Sequence, residues 1–103
     1  VRIMTVESRF QASLIEDIED LFPEAKILKN NAGYLQGFPD LTILCFDTFA
    51  LLEVKASEDS ECQPNQEYYI DWANSSGAFG AFVWPSIKEE VLDGLQQAFE
   101  SHR

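Results

Sequence analysis

The sequence predicts an α/β protein whose elements follow in the order helix, strand, strand, strand, helix, strand, helix. Three observations predict this order: apolar residues at helical spacing near the start, short β-rich apolar runs in the middle, and two later amphipathic segments that each follow a proline. The chain has 103 residues, of which 46% are hydrophobic. This length has room for one compact domain, so we expect a single domain over residues 1–103.

The first helix is predicted over residues 5–22. Thr5 is a suitable N-cap residue, and Pro23 is expected to end the helix. A first strand follows near residues 26–30. The helix has a buried stripe because its apolar residues recur every three or four positions, at Val6, Phe10, Leu14, Ile18 and Leu21.

Two β-rich runs, residues 39–46 and 49–56, predict a hairpin that turns through Asp47-Thr48. Glu53 and Lys55 lie two positions apart in the second strand, and residues at that spacing share one face. Asp40 begins the first strand, so the hairpin would bring it close to the end of the second. The pattern therefore predicts that two carboxylates and one ammonium group converge.

The last third of the chain completes the element order. A polar, acidic loop over residues 57–63 precedes a predicted helix over 64–75, which begins with a proline, and a buried strand is predicted over 78–84. A final helix is predicted from Ser86, with Glu89 as its capping-box partner. The apolar face of this helix consists of Val91, Leu92, Leu95 and Phe99.

The predicted charge cluster suggests a metal site. Neighbouring carboxylates in a partly buried site repel each other, and a divalent cation would compensate them. Mg²⁺ takes one or two carboxylates together with waters and phosphate oxygens. A simpler interpretation is that Asp40 caps a turn while Glu53 and Lys55 form an exposed cross-strand pair. The functional interpretation is favoured because these two charges interrupt an otherwise apolar run.

The motif residues resemble the PD-(D/E)xK nuclease superfamily. Pro39-Asp40 is followed, 13 positions after the aspartate, by Glu53-x-Lys55. Gly37 completes a Gly-x-Pro-Asp sequence, as in the branch that includes the virus-type replication-repair (VRR-NUC) nucleases and the Holliday junction resolvases. The resemblance implies a restriction-endonuclease-like α/β/α sandwich, with a mixed central sheet and helices on both faces.

The resemblance also assigns roles to Glu7 and Gln66. The first helix reads Glu7-Ser8-Arg9-Phe10-Gln11, similar to the Glu-Ser-x-x-Gln context in which related nucleases place a metal-binding glutamate. Gln66 matches a glutamine that this branch often carries after the Glu-x-Lys strand, where it approaches the scissile phosphate or its water. Alternatives stay open for both: an acidic residue that favours a helix N-terminus, and a surface glutamine.

The activity implied by the resemblance is that of a Mg²⁺- or Mn²⁺-dependent endodeoxyribonuclease. Glu7, Asp40 and Glu53 would hold the metal, Lys55 would position or activate water, and Gln66 would assist. The branch further implies selectivity for branched DNA, such as a Holliday junction. The small size predicts a homodimer with two active sites.

The net charge of −11 opposes this function, because nucleic-acid-binding proteins usually have a basic surface. The candidate DNA contacts are Arg9, Lys26 and Lys29, and a protein partner could offset the acidic surface. One alternative is a catalytically silent relative that acts as an acidic interaction subunit or mimics DNA. Another is an unrelated small α/β binding domain in which these charges are incidental.

Other features predict the cellular setting. The sequence shows neither a transmembrane run nor a secretory signal. Cys45 and Cys62 lack metal-ligand spacing, so we expect reduced thiols in the cytoplasm of a bacterial or phage-infected cell. His102, the lone histidine, lies near the end of the chain and is not expected to be a general base. Residues 1–3 precede Met4 and are interpreted as an added or upstream extension.

Overall fold

The computed structural model describes residues 5–31, 33 and 35–103. The proposed extension at residues 1–3 lies outside the described residues. The predicted element order is confirmed, with one 3₁₀ turn added before the last helix. The elements are α1 (Val6–Leu21), β1 (Lys26–Lys29), β2 (Leu41–Cys45), β3 (Thr48–Val54), α2 (Pro64–Ser75), β4 (Phe79–Val83), the 3₁₀ turn (Pro85–Ile87) and α3 (Lys88–Glu100).

The four strands form a mixed sheet in the order β1-β2-β3-β4. β1, β2 and β3 are antiparallel neighbours, whereas β4 runs parallel to β3. The β2–β3 hairpin closes with Cys45 opposite Thr48, so the turn consists of Phe46 and Asp47, one residue earlier than predicted. Phe46 adopts the left-handed conformation, with φ 55°. This register extends to the open end of the hairpin, where Asp40 lies beside Glu53.

Helices cover both faces of the sheet. α1 and α3 enclose the main core on one face, and α2 packs over β3 and β4 on the other. The predicted α/β/α sandwich with a mixed central sheet is therefore confirmed. The side chains in the second, smaller core include Leu51, Ile70 and Ala73.

The first helix buries only the middle of its apolar stripe. Leu14 and Ile18 are fully buried, whereas Val6 and Leu21 at the two ends are exposed. The Thr5 hydroxyl accepts a hydrogen bond from the backbone N–H of Ser8, which confirms the predicted N-cap. None of the described helices combines the length and apolarity needed to cross a bilayer.

Two predictions for the last third of the chain are corrected. The prediction of a Ser86–Glu89 capping box is wrong, because Pro85 starts a 3₁₀ turn in which the Ile87 N–H donates to the Trp84 carbonyl. Ser86 is thus already helical and cannot act as the N-cap of α3. The strand predicted as buried is an edge strand, so among its residues only Val83 is fully buried.

Candidate active site

The hairpin register brings Asp40 and Glu53 into contact at the open end of β2 and β3. The backbone N–H of Asp40 donates to Oε1 of Glu53 at 3.2 Å, and the N–H of Val54 donates to Oδ2 of Asp40 at 2.8 Å. Each carboxylate is therefore fixed by backbone of the other strand. These are the two acids that the sequence spacing predicts to converge.

Lys55 follows directly after β3 and lies on the same side as Glu53. Its Nζ donates to the Glu61 carbonyl at 2.8 Å and to Oε1 of Gln66 at 2.9 Å, and it lies 3.7 Å from Oε2 of Glu53. Glu53 and Lys55 are only 5% and 8% exposed. The interpretation of these residues as an exposed cross-strand pair is therefore wrong.

Gln66 joins the glutamate to the lysine. It lies in the first turn of α2, where its Nε2 donates to Oε2 of Glu53 at 2.7 Å. Its Oε1 accepts from Nζ of Lys55 and, at 3.0 Å, from the backbone N–H of Gln63. The side-chain amide thus has a fixed orientation and links α2 to the end of β3, which excludes a free surface glutamine.

The environment of Glu53 disfavours its charged form. Burial, as the main cause, and the charge of the neighbouring Asp40 together raise the pKa of this carboxyl to about 7. Glu7 also contributes repulsion, while Lys55 and the Asp40 N–H act in the opposite direction. Added positive charge at this position would therefore relieve a repulsion that the protein itself only partly compensates.

The carboxylate pair fits a hard divalent cation. Asp40 and Glu53 supply oxygen ligands, which Mg²⁺ and Mn²⁺ prefer, and they lie together at a half-buried edge. In the described part of the chain, no group of three or more His, Cys, Asp or Glu side chains is gathered closely enough to hold a metal. Glu7 is exposed in the first turn of α1, and its charge acts on Glu53. The two carboxylates already in contact are therefore Asp40 and Glu53, and Mg²⁺ commonly takes one or two carboxylates.

The three basic residues predicted to contact DNA are all exposed, but they lie at different distances from the carboxylates along the sheet. Lys29 ends β1 and pairs with the residue that follows Asp40. Lys26 lies three residues farther away on the same strand. Arg9 lies in α1, two positions after Glu7. Lys29 is thus nearer to the site along β1 than Lys26, but its side chain lies on the α1 side of the sheet, whereas that of Glu53 lies on the α2 side.

Asn30 holds the Pro39-Asp40 segment in place, a role that the sequence analysis did not assign. Its Nδ2 donates to the Pro39 carbonyl and to Oγ1 of Thr42, each at 2.8 Å. Its backbone N–H donates to the Asp40 carbonyl at 2.8 Å. An asparagine after a strand is common in turns, so its position alone gave no signal for this role.

Gly37 sets the backbone conformation of the segment that leads to Asp40. Its φ is +80°, and a Cβ built on it would collide with the side chain of Asn65 at the start of α2. We expect Gly37→Ala to lower the free energy of unfolding by roughly 2 kcal/mol, since it adds a clash to the conformational strain. It should also reduce activity, because the segment that carries Asp40 would move away from α2.

Gly77→Ala is the matched control for this prediction. Gly77 has nearly the same φ, +83°, but a Cβ there would meet nothing within 4 Å. Its substitution should cost roughly 1 kcal/mol by conformational strain alone. Urea unfolding of both variants measures the difference. Equal costs would show that the contact with Asn65 is unimportant.

The chain is similar to a domain of known structure. A solved structure described as a VRR_NUC domain superposes with a TM-score of 0.70 and is 26% identical in sequence. The match covers 91% of this chain and 97% of that chain. Searches with protein-family models and among curated proteins find no match. The resemblance predicted from the Gly-x-Pro-Asp and Glu-x-Lys residues is therefore confirmed, and the chain has the restriction-endonuclease-like fold of a VRR-NUC domain.

Proposed function

We propose that this protein is a metal-dependent endonuclease that hydrolyses phosphodiester bonds in DNA. The observation that carries the proposal is the buried, hydrogen-bonded network of Asp40, Glu53, Lys55 and Gln66. Burying these charges is costly for folding, so a network with no catalytic role would bring the protein little benefit. The similarity to a VRR_NUC domain supports a nuclease in particular.

The residues of the network have distinct roles in this proposal. Asp40 and Glu53 would hold Mg²⁺ or Mn²⁺, and Glu7 would add a third acid from the side of α1. When bound, the cation supplies Lewis-acid polarisation of the scissile phosphate and lowers the pKa of a water ligand. An ammonium group has three N–H donors, and Lys55 uses two of them on Glu61 and Gln66. The third is left to orient the attacking water or to stabilise charge on the phosphate.

Gln66 acts as a positioning residue. Its amide holds both the carboxylate of Glu53 and the ammonium of Lys55, so it fixes their separation. Because Gln66 sits in the first turn of α2, any movement of this helix would reach both groups. Its contribution to catalysis is therefore indirect and should be smaller than that of Lys55.

The substrate class follows from the branch of nucleases that the motif resembles. We propose branched DNA, such as a Holliday junction, cut in the cytoplasm by a homodimer that presents two active sites. The net charge of −11 predicts weak, salt-sensitive binding through few basic residues, of which Lys29 is nearer to the carboxylates along β1 than Lys26. A protein partner would strengthen this binding by adding basic surface.

The test is cleavage of labelled DNA at low salt with Mg²⁺ or Mn²⁺. Four-way junction, fork, linear duplex and single strand are compared, with EDTA as the control for metal dependence. We expect cleavage only with metal and fastest on the junction. Equal cleavage in EDTA would contradict the metal-dependent mechanism, and faster cleavage of linear duplex would contradict branched-DNA selectivity.

A second candidate function rests on the acidic charge. A silent relative of the same fold could bind proteins as an acidic subunit or mimic DNA, and a net charge of −11 favours this alternative. The two functions differ in the cleavage assay. A folded protein that cuts none of the four substrates but displaces DNA from a DNA-binding protein would support the mimic.

A further inference from the structure

A cavity of about 400 Å³ adjoins the candidate active site on the side of Lys55 away from Asp40. It lies where the parallel strands β3 and β4 end and where α2 begins, a common location for ligands in α/β sheets. Its volume is within the roughly 300–1,000 Å³ typical of small-molecule sites. The lining residues include Lys55, Ser57, Cys62, Glu67, Phe82 and Trp84.

Two aromatic side chains form the wall of the cavity on the β4 side. Phe82 and Trp84 are two residues apart along an extended segment, so they lie on the same side of the sheet, the side covered by α2. The indole Nε1 of Trp84 is buried and has no hydrogen-bond acceptor among the described residues. Because this nitrogen is buried, Trp84 offers the cavity the surface of its ring and not its N–H donor.

The charges around the cavity indicate what kind of group it takes. Glu58 and Glu67 line it, and the ammonium of Lys55 is engaged with Glu61 and Gln66. Acidic side chains would repel a phosphate, whereas a neutral heterocycle could stack on the aromatic wall.

We propose that this cavity binds an unstacked base of the DNA strand, beside the phosphodiester that is cut. The inference rests on the proposed nuclease function for the identity of the strand. Base binding itself depends only on the aromatic wall of Phe82 and Trp84 and on the acidic side chains of Glu58 and Glu67. Free nucleosides therefore test the cavity independently of cleavage.

The direct experiment is an NMR titration of the ¹⁵N-labelled protein without metal. The chain has two tryptophans, so the indole region contains two N–H signals, which Trp72→Phe and Trp84→Phe assign. We expect adenosine to shift the Trp84 signal and to leave the signal of Trp72 unchanged, because Trp72 packs against Phe49 at the opposite end of β3 from the cavity. Inorganic phosphate at the same concentration should shift neither. A shift of Trp72 alone, no shift of either signal, or an equal Trp84 shift with phosphate would overturn the proposal.

Two further measurements guard against a variant that fails to fold. Trp84→Ala should weaken adenosine binding roughly tenfold, as expected for a lost base–aromatic stack, while Trp72→Ala should not change it. In the unmodified protein, Cys62 is exposed and Cys45 is buried, so N-ethylmaleimide should react selectively with Cys62 at the cavity. Adenosine should slow this reaction, and an unchanged rate would contradict the proposal.

These results separate the two proposals. Adenosine binding at Trp84 in a protein that cuts no DNA would refute the nuclease function but keep the base-binding cavity. Cleavage of DNA without any effect of adenosine on Trp84 or Cys62 would support the nuclease function and refute the base-binding cavity. If the protein is a nuclease and the cavity binds a base, DNA lacking the base next to the cut should be cleaved more slowly than intact DNA by the parent protein. Trp84→Phe should reduce this difference between the two cleavage rates.

Discussion

Lys55→Met should reduce the rate of DNA cleavage by about a hundredfold or more without unfolding the protein, since a lost donor to transition-state charge typically costs 10²–10³. Methionine nearly preserves the length and apolar stem of lysine but removes its charge and its N–H donors. The Glu61 carbonyl would lose the Lys55 donor, and Oε1 of Gln66 would keep only the Gln63 N–H. Glu53 would still accept from Gln66, so the framework of the site should persist.

Lys88→Met is the matched control for Lys55→Met. Lys88 also forms an ion pair, with Asp17 at 2.8 Å, but this pair joins α3 to α1 away from the Asp40–Glu53 carboxylates. Its loss should alter stability slightly and leave the cleavage rate near that of the parent. Single-turnover rates on the best substrate, together with circular dichroism, make the comparison. Similar activity in both variants would show that Lys55 does not take part in the reaction.

The hairpin and its charges were predictable because β-structure has a strict two-residue period. A run of apolar residues interrupted by Glu53 and Lys55 places both side chains on one face. The spacing to Asp40 then allows only a short turn between the two strands. The turn itself was misplaced by one residue, since Phe46 is an uncommon choice for a left-handed conformation. Asp40 and Glu53 were still predicted to converge, because moving the turn by one residue shifts the register by two and keeps every side chain on its face. That register would place Asp40 opposite Lys55, with Glu53 as its diagonal neighbour.

Other features of the site depend on contacts that the sequence pattern does not encode. The Glu61 carbonyl accepts a hydrogen bond from Lys55 because of the shape of the loop. Every residue has a backbone carbonyl, so the sequence does not indicate which one makes this contact. Asn30 acts across nine positions on Pro39, and only the strand register makes that contact possible. The cavity beside Trp84 likewise arises where a loop, a helix and two strand ends meet. A periodic pattern in the sequence predicts one helix or strand at a time and does not show where several elements meet.

The stability of the metal-free protein should fall as pH rises, and Glu53 should be the cause of part of this fall. The pKa of its carboxyl is about 7 in the folded protein and 4.5 as the ordinary value for the unfolded chain. Between these values the folded state binds more protons, so its stability decreases with rising pH. At about 1.4 kcal/mol for each pKa unit, the contribution lost from acidic to mildly alkaline pH is about 3 kcal/mol.

Glu53→Gln should remove this contribution, because glutamine does not titrate. The variant also places an amide NH₂ opposite the donor of Gln66, which lowers stability by an amount independent of pH. The informative quantity is therefore the pH dependence of unfolding in EDTA, which should be weaker in the variant by the same ~3 kcal/mol. Glu90→Gln, at an exposed position of α3, should retain the dependence of the parent. Parallel pH profiles for all three proteins would contradict a raised pKa at Glu53.

Glu53→Gln also tests whether the repulsion between the Asp40 and Glu53 carboxylates serves to bind a metal ion. If these carboxylates exist to hold a cation, Mg²⁺ should stabilise the parent most at mildly alkaline pH, where Glu53 is charged. It should stabilise Glu53→Gln much less, because one of the two anionic ligands is gone. Thermal unfolding with and without Mg²⁺ measures the difference. Equal stabilisation of both proteins would place the cation elsewhere, and the repulsion at Glu53 would then have no compensating ligand.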